Sequence, residues 1–158
     1  MICCTGECIE IIHRPTIEQP RLNAYRFHVG HIKKHRGIVA VVEDDHSVNH
    51  SMCRLLSAAG FEARAFDSGE ALLMDERVRE HRCLIVDAEL PGISGFELYR
   101  KLQLNGVRVP LVVVTAHDDS EHRDEASKLG ATAYFSKPFS SAAFIDAVIE
   151  ASGESQDR

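Results

Sequence analysis

No stretch of this chain approaches the roughly 20 consecutive apolar residues needed to cross a bilayer, so no membrane-spanning helix is expected. The first residues lack a cationic start followed by an apolar segment, because Glu10 interrupts Cys8-Ile9-Glu10-Ile11-Ile12. No export signal is read there, and a cytoplasmic location is the expectation. Cysteine is scarce and odd in number, five in 158 residues. Cys53 and Cys83 fall inside a helical and a strand-like pattern, which argues against a disulfide framework. Cys3, Cys4, Cys8 and His13 lack the Cys-x2-Cys spacing of a zinc knuckle. Positive charge is short where a nucleic-acid binder would need it: residues 37–158 carry 12 Lys/Arg against 21 Asp/Glu, whereas residues 1–36 carry six against three. Direct nucleic-acid binding by the body of the protein is not expected.

What is present is regular alternation. From Gly37 onward strand-like runs alternate with helix-like ones, the pattern of a mostly parallel sheet covered by helices. Ile38–Val42, Cys83–Val86 and Val109–Thr115 are continuous apolar runs, as strands buried on both faces should be. Glu62–Phe66 and Ala133–Ser136 complete five strands. Helical spacing appears at Val48, Met52, Leu55, Leu56 and Ala59 before Gly60, and at Phe144, Ile145, Val148 and Ile149. Between these lie a helix capped by Ser68 and running through Ala71, Leu72, Leu73 and Val78, one over 96–104, and a polar one over 120–129. The fold class is α/β, a doubly wound parallel sheet of five β/α units. Residues 1–36 contain Pro15, Pro20 and no sustained periodicity, and are expected to be a flexible extension to a domain over 37–152, with 153–158 as a tail.

Ligand crevices in open α/β sheets lie beyond the carboxyl ends of the strands. Glu43 and Asp44 follow the first strand there, Asp87 the third, Thr115 ends the fourth and Lys137 follows the fifth. Three carboxylates gathered in one place repel one another, and protonation or a hard divalent cation such as Mg²⁺ relieves that repulsion. A hydroxyl from Thr115 and an ammonium from Lys137 suit the oxygens of a phosphoryl group attacked by Asp87. Asp45, the next residue along, is expected to face solvent.

The runs Val-Val-Glu-Asp-Asp, Leu-Ile-Val-Asp-Ala-Glu-Leu-Pro-Gly-Ile-Ser-Gly, Val-Val-Val-Thr-Ala-His and Phe-Ser-Lys-Pro-Phe, in that order, resemble a response-regulator receiver domain of two-component signalling, most like those of FixJ-type transcription regulators. The resemblance spans Gly37 to about Ser152. It implies a flavodoxin-like (βα)5 sheet in the strand order 2-1-3-4-5 and a Mg²⁺-dependent phosphoacceptor rather than an enzyme. Asp87 would be the phosphoacceptor, with Glu43, Asp44, Asp87 and the backbone carbonyl of Glu89 as metal ligands and no other cofactor. Glu43 replaces the commoner aspartate. Thr115 and Lys137 would contact the phosphoryl group, and Thr115 and Tyr134 would act as a switch. Glu89 and His117 would set the lifetime of the aspartyl phosphate, and Lys137-Pro138 is where the family has a cis peptide.

Implied partners are a sensor histidine kinase or a phosphotransfer protein, an output partner protein, and a second copy docked through the fourth helix, fifth strand and fifth helix. Only Gly-Glu-Ser-Gln-Asp-Arg follows Ser152, so a stand-alone regulator acting by protein–protein interaction is expected, with a fragment of a FixJ-type DNA-binding regulator as the alternative. A haloacid-dehalogenase-like phosphatase also combines Asp, Mg²⁺, Thr and Lys. Its nucleophile precedes its metal acids, the reverse of the order here.

Overall fold

The computed structural model describes residues 35–153. The extension over 1–36 and the tail over 153–158 lie, except for His35, Arg36 and Gly153, outside the described residues, as do Cys3, Cys4, Cys8 and His13. The five apolar runs form β1 (Ile38–Val42), β2 (Glu62–Phe66), β3 (Cys83–Asp87), β4 (Leu111–Thr115) and β5 (Ala133–Ser136). They make one parallel sheet in the order β2-β1-β3-β4-β5, as expected. In register, Val42 pairs with Phe66 on one side and Val86 on the other, Asp87 with Val114, and Thr115 with Ser136. The carboxyl ends of all five strands therefore finish along one edge, and the residues just beyond them are brought together.

Five helices complete the fold: α1 (His46–Ala58), α2 (Gly69–Leu73), α3 (Gly95–Leu104), α4 (Ser120–Lys128) and α5 (Ser141–Ala151). Strand side chains alternate between two faces. Val39, Val41, Cys83, Ile85, Val112 and Val114 pack with Met52 and Leu56 of α1 and Phe144, Val148 and Ile149 of α5. Ala40, Val42, Leu84, Val86 and Val113 pack with Leu72 of α2, Phe96, Leu98 and Leu102 of α3 and Ala126 of α4. Because both faces are covered, the central strands need no polar side and read as unbroken apolar runs. Asp45, Ser68, Ser94, Asp119 and Ser140 each cap a helix by accepting a backbone N–H in its first turn. Such a cap contributes about 1 kcal/mol.

Two boundaries differ from the sequence reading by more than one residue. The second helix stops at Leu73 instead of continuing through Val78, which begins a separate 3₁₀ turn, Val78–Glu80. Asp75 explains the break: its carboxylate accepts from the Arg77 N–H at 3.2 Å and from the Arg64 guanidinium at 3.0 and 3.1 Å, contacts that compete with helical pairing. The fourth strand starts at Leu111 rather than Val109, because Pro110 has no N–H to give a ladder. Its carbonyl still accepts from the Leu84 N–H at 2.8 Å.

The same corner buries His81 completely. Its Nδ1 lies 3.1 Å from the Val78 carbonyl, which can only accept, so Nδ1 carries the proton. Nε2 faces Asp75 Oδ2 at 3.7 Å without a hydrogen bond, and Phe66 meets the ring edge-on. Arg64 already neutralises Asp75, so burial dominates and holds the imidazole below its ordinary pKa. The unfolded chain then protonates this group first as pH falls through about 6.5, and the stability that the neutral ring provides is lost progressively below that value. Denaturant midpoints should therefore drop between about pH 7.5 and pH 5.5, and His81→Gln should flatten the drop. An equal pH slope in the variant would show that His81 is not the group responsible.

Candidate functional site

The site is built outward from β1. Glu43 follows Val42 directly; its N–H donates to the Phe66 carbonyl at 3.1 Å and its side chain is buried. Asp44 is exposed beside it. Asn49, buried on α1, donates its side-chain amide to the carbonyls of Glu43 and Phe66, both at 3.0 Å, which fixes the ends of β1 and β2 against the helix. Asp87 ends β3 and is also buried. Its Oδ1 accepts from the Glu89 N–H at 2.8 Å. Immediately below, α3 begins with Gly95, where an added Cβ would fall 2.1 Å from the Asp87 carbonyl oxygen. No other residue fits there without moving the backbone that aims Asp87.

Lys137 completes the centre. Its Nζ lies 2.5 Å from Glu43 Oε2 and 2.6 Å from Asp87 Oδ2, so one ammonium bridges two acids that are 1% and 6% exposed. Its backbone is held by donation from its N–H to the Thr115 carbonyl at 2.8 Å, and the Lys137–Pro138 peptide is cis. Burial pushes the Glu43 carboxyl up, with the Lys137 hydrogen bond opposing and the nearby Asp87 charge reinforcing. Burial alone would lower the Lys137 ammonium, but its hydrogen bonds to Asp87 and Glu43 outweigh it and hold it above its ordinary value. Glu43, Asp44 and Asp87 each offer an oxygen within 4.8 Å of the others. Three convergent carboxylates with one cation between them leave net negative charge, and an all-oxygen donor set fits a hard divalent cation such as Mg²⁺.

Around this centre stand the remaining expected residues. Thr115 is fully buried, and its hydroxyl donates to the His117 carbonyl at 3.0 Å while accepting from the His117 N–H at 3.1 Å. His117 Nδ1 meets Glu89 Oε2 at 2.6 Å, joining the loop after β4 to the loop after β3. Tyr134 is half-buried on β5, three residues before Lys137, with the Arg123 guanidinium 5.4 Å from its ring centre. Its hydroxyl is buried without a partner, and burial pushes the phenol above its ordinary pKa. Asp45 is exposed, as expected, but its carboxylate also caps α1 through Ser47 N–H at 2.8 Å and Val48 N–H at 3.1 Å. An aspartate just ahead of a helical pattern is the signal for that role. Asn49 and Gly95 were missed; only the contacts across the fold give them a function.

A family model described as the response regulator receiver domain matches residues 39–149. Transcriptional regulatory protein FixJ of Azorhizobium caulinodans is 36% identical over 120 residues, covering 76% of this chain and 57% of that protein. Nodulation protein W of Bradyrhizobium diazoefficiens is 34% identical over 123 residues, covering 78% and 54%. The chain thus spans little more than half the length of these curated relatives. A solved structure of FixJ-N superposes with a TM-score of 0.68 at 32% identity, over 77% of this chain and 98% of that one.

Removing the Lys137 ammonium leaves two buried acids facing each other. Full burial would make that cost about 3–5 kcal/mol; with the lysine 20% exposed, we expect Lys137→Met to lose about 1–3 kcal/mol without divalent cation. Mg²⁺ should stabilise the variant more than the wild type, since the lysine no longer competes for the carboxylates. Thermal melts with and without Mg²⁺ read both effects. A variant as stable as wild type and indifferent to Mg²⁺ would contradict this electrostatic account.

Proposed function

This chain belongs to the response regulator receiver domain family of two-component systems, and from that premise we propose that it signals by accepting a phosphoryl group on Asp87. The supporting observation is the bridging of Asp87 and Glu43 by Lys137 at the carboxyl edge of the sheet. The donor is a histidine kinase or phosphotransfer protein carrying phosphate on an imidazole nitrogen. An Asp87 carboxylate oxygen attacks phosphorus, the P–O bond forms as the P–N bond breaks, and the electron pair returns to the imidazole. Glu43, Asp44, Asp87 and the Glu89 carbonyl would hold Mg²⁺, which supplies charge neutralisation for the phosphoryl oxygens when bound.

The chain's own groups have separable tasks. The Glu89 N–H holds one Asp87 oxygen, leaving the other to Lys137, which follows the charge as it moves onto the phosphoryl group. Thr115 donates a hydrogen bond from its hydroxyl to a phosphoryl oxygen after leaving the His117 carbonyl. Tyr134, with the Arg123 guanidinium of α4 over its ring, carries the change to α4, β5 and α5, the surface for an output partner or a second copy. The bridge between Glu89 and His117, which joins the loops after β3 and β4, would govern the access of water to the aspartyl phosphate. The setting is cytoplasmic and the output is protein–protein contact rather than turnover of a substrate; transcriptional regulation of the kind named for FixJ would belong to sequence beyond the 57% of that protein matched here. Among the described residues no helix is long and apolar enough to cross a membrane.

Incubation with a small phosphodonor and Mg²⁺, read by intact mass and peptide mapping, should label Asp87 in wild type and leave Asp87→Asn unlabelled. Asp44→Ala should lose most Mg²⁺ affinity, and no phosphomonoester should be turned over. Decay of the label should change by more than about twofold, or 0.4 kcal/mol, in Glu89→Ala and His117→Ala. Asp87→Asn labelled as fully as wild type would overturn the assignment.

A further inference from the structure

His122 lies in the first turn of α4. Its ring is 24% exposed and packs against Phe96 of α3 with centroids 5.6 Å apart. Its backbone N–H donates to the capping carboxylate of Asp119 at 2.8 Å, which fixes the residue at the start of the helix. Nδ1 lies 3.2 Å from the His117 carbonyl oxygen, nearer than the Asp119 carboxylate, whose Oδ2 is 3.5 Å away. A carbonyl only accepts, so Nδ1 carries the proton and donates. That same carbonyl accepts the Thr115 hydroxyl at 3.0 Å. Both lone pairs of one oxygen are therefore occupied, one by the switch threonine and one by His122.

Thr115 has a single hydroxyl proton. It cannot donate to a phosphoryl oxygen while donating to His117. Removing the last donor from a carbonyl costs more than removing one of two, because only the first case leaves the group unpaired. We propose that His122 is a positioning residue for phosphoryl capture: it holds the His117 carbonyl from the α4 side, so that Thr115 can leave while the loop stays in place. The inference rests on the proposal that Asp87 accepts the phosphoryl group and Thr115 contacts it. His122 touches neither and acts only through the loop.

Two substitutions separate hydrogen bonding from packing. His122→Phe keeps a ring against Phe96 and removes the donor. His122→Asn gives up the ring and keeps an amide donor close to the position of Nδ1. If the donor matters, Phe should slow the labelling of Asp87 by a small phosphodonor at saturating Mg²⁺ by about two- to twelvefold, the equivalent of about 0.5–1.5 kcal/mol for one hydrogen bond, and Asn should stay within twofold of wild type. If only packing matters, the order reverses. Amide hydrogen exchange at His117, measured without phosphodonor, should speed up in Phe and not in Asn. Labelling of Phe at the wild-type rate, or slower labelling of Asn than of Phe, would overturn the proposal. If wild type itself does not label, the phosphoacceptor reading fails, and the exchange pattern still decides whether His122 holds the loop: equal exchange in Phe and wild type sinks it.

Discussion

One ammonium held between two buried carboxylates is the interaction on which the rest of this structure depends. Lys137 reaches Glu43 and Asp87 only because β5, β1 and β3 end at one edge in matched register. A parallel sheet produces that convergence from residues far apart in the chain. The helices contribute by closing both faces, which lowers the local dielectric and strengthens each charge interaction at the edge. Asn49 and Gly95 serve the same end, one fixing the backbone of Glu43 and the other allowing α3 to pass beneath Asp87.

The arrangement is electrostatically unfinished. Three acids and one lysine leave negative charge at a half-enclosed site, and burial already raises Glu43 toward its neutral form. Such a site gains when positive charge arrives and loses when the lysine is taken away, so the proposed metal binding and phosphoryl capture would draw on the same groups as stability. The rim shows a related economy. The Thr115 hydroxyl, the His117 backbone and side chain, Glu89 and His122 form a continuous set of contacts from β4 across to the β3–α3 loop and back to α4. A change in the Thr115 hydroxyl therefore reaches both loops and the helix without any long-range rearrangement.

Much of this was legible in the sequence. Ile38–Val42 and Cys83–Val86 read as buried strands because both faces of the sheet are covered, and Glu43, Asp44, Asp87, Thr115 and Lys137 drew notice because each stands where such a run ends. The early stop of α2 was not legible, because Asp75 leaves the helix to meet Arg64, a strand residue whose proximity exists only in the fold. The Pro110 boundary was readable in principle, since a proline cannot donate within a ladder. Glu89 and His117 could be placed at the rim from their positions, but that they touch is a fact of loop geometry. Asn49 and His122 carry no local signal: each is an ordinary helical residue until the carbonyl it meets is known.

The central claim is that one set of side chains changes partners, with Lys137 and Thr115 passing from protein acceptors to a phosphoryl group on Asp87. A crystal structure with Mg²⁺ and beryllofluoride, which mimics an aspartyl phosphate, tests it most directly. The account predicts beryllofluoride on an Asp87 oxygen, Lys137 Nζ against a fluoride, and the Thr115 hydroxyl turned from the His117 carbonyl to another fluoride while His122 keeps that carbonyl. Beryllofluoride absent from Asp87 under saturating conditions, or bound there with Thr115 still on His117, would contradict it.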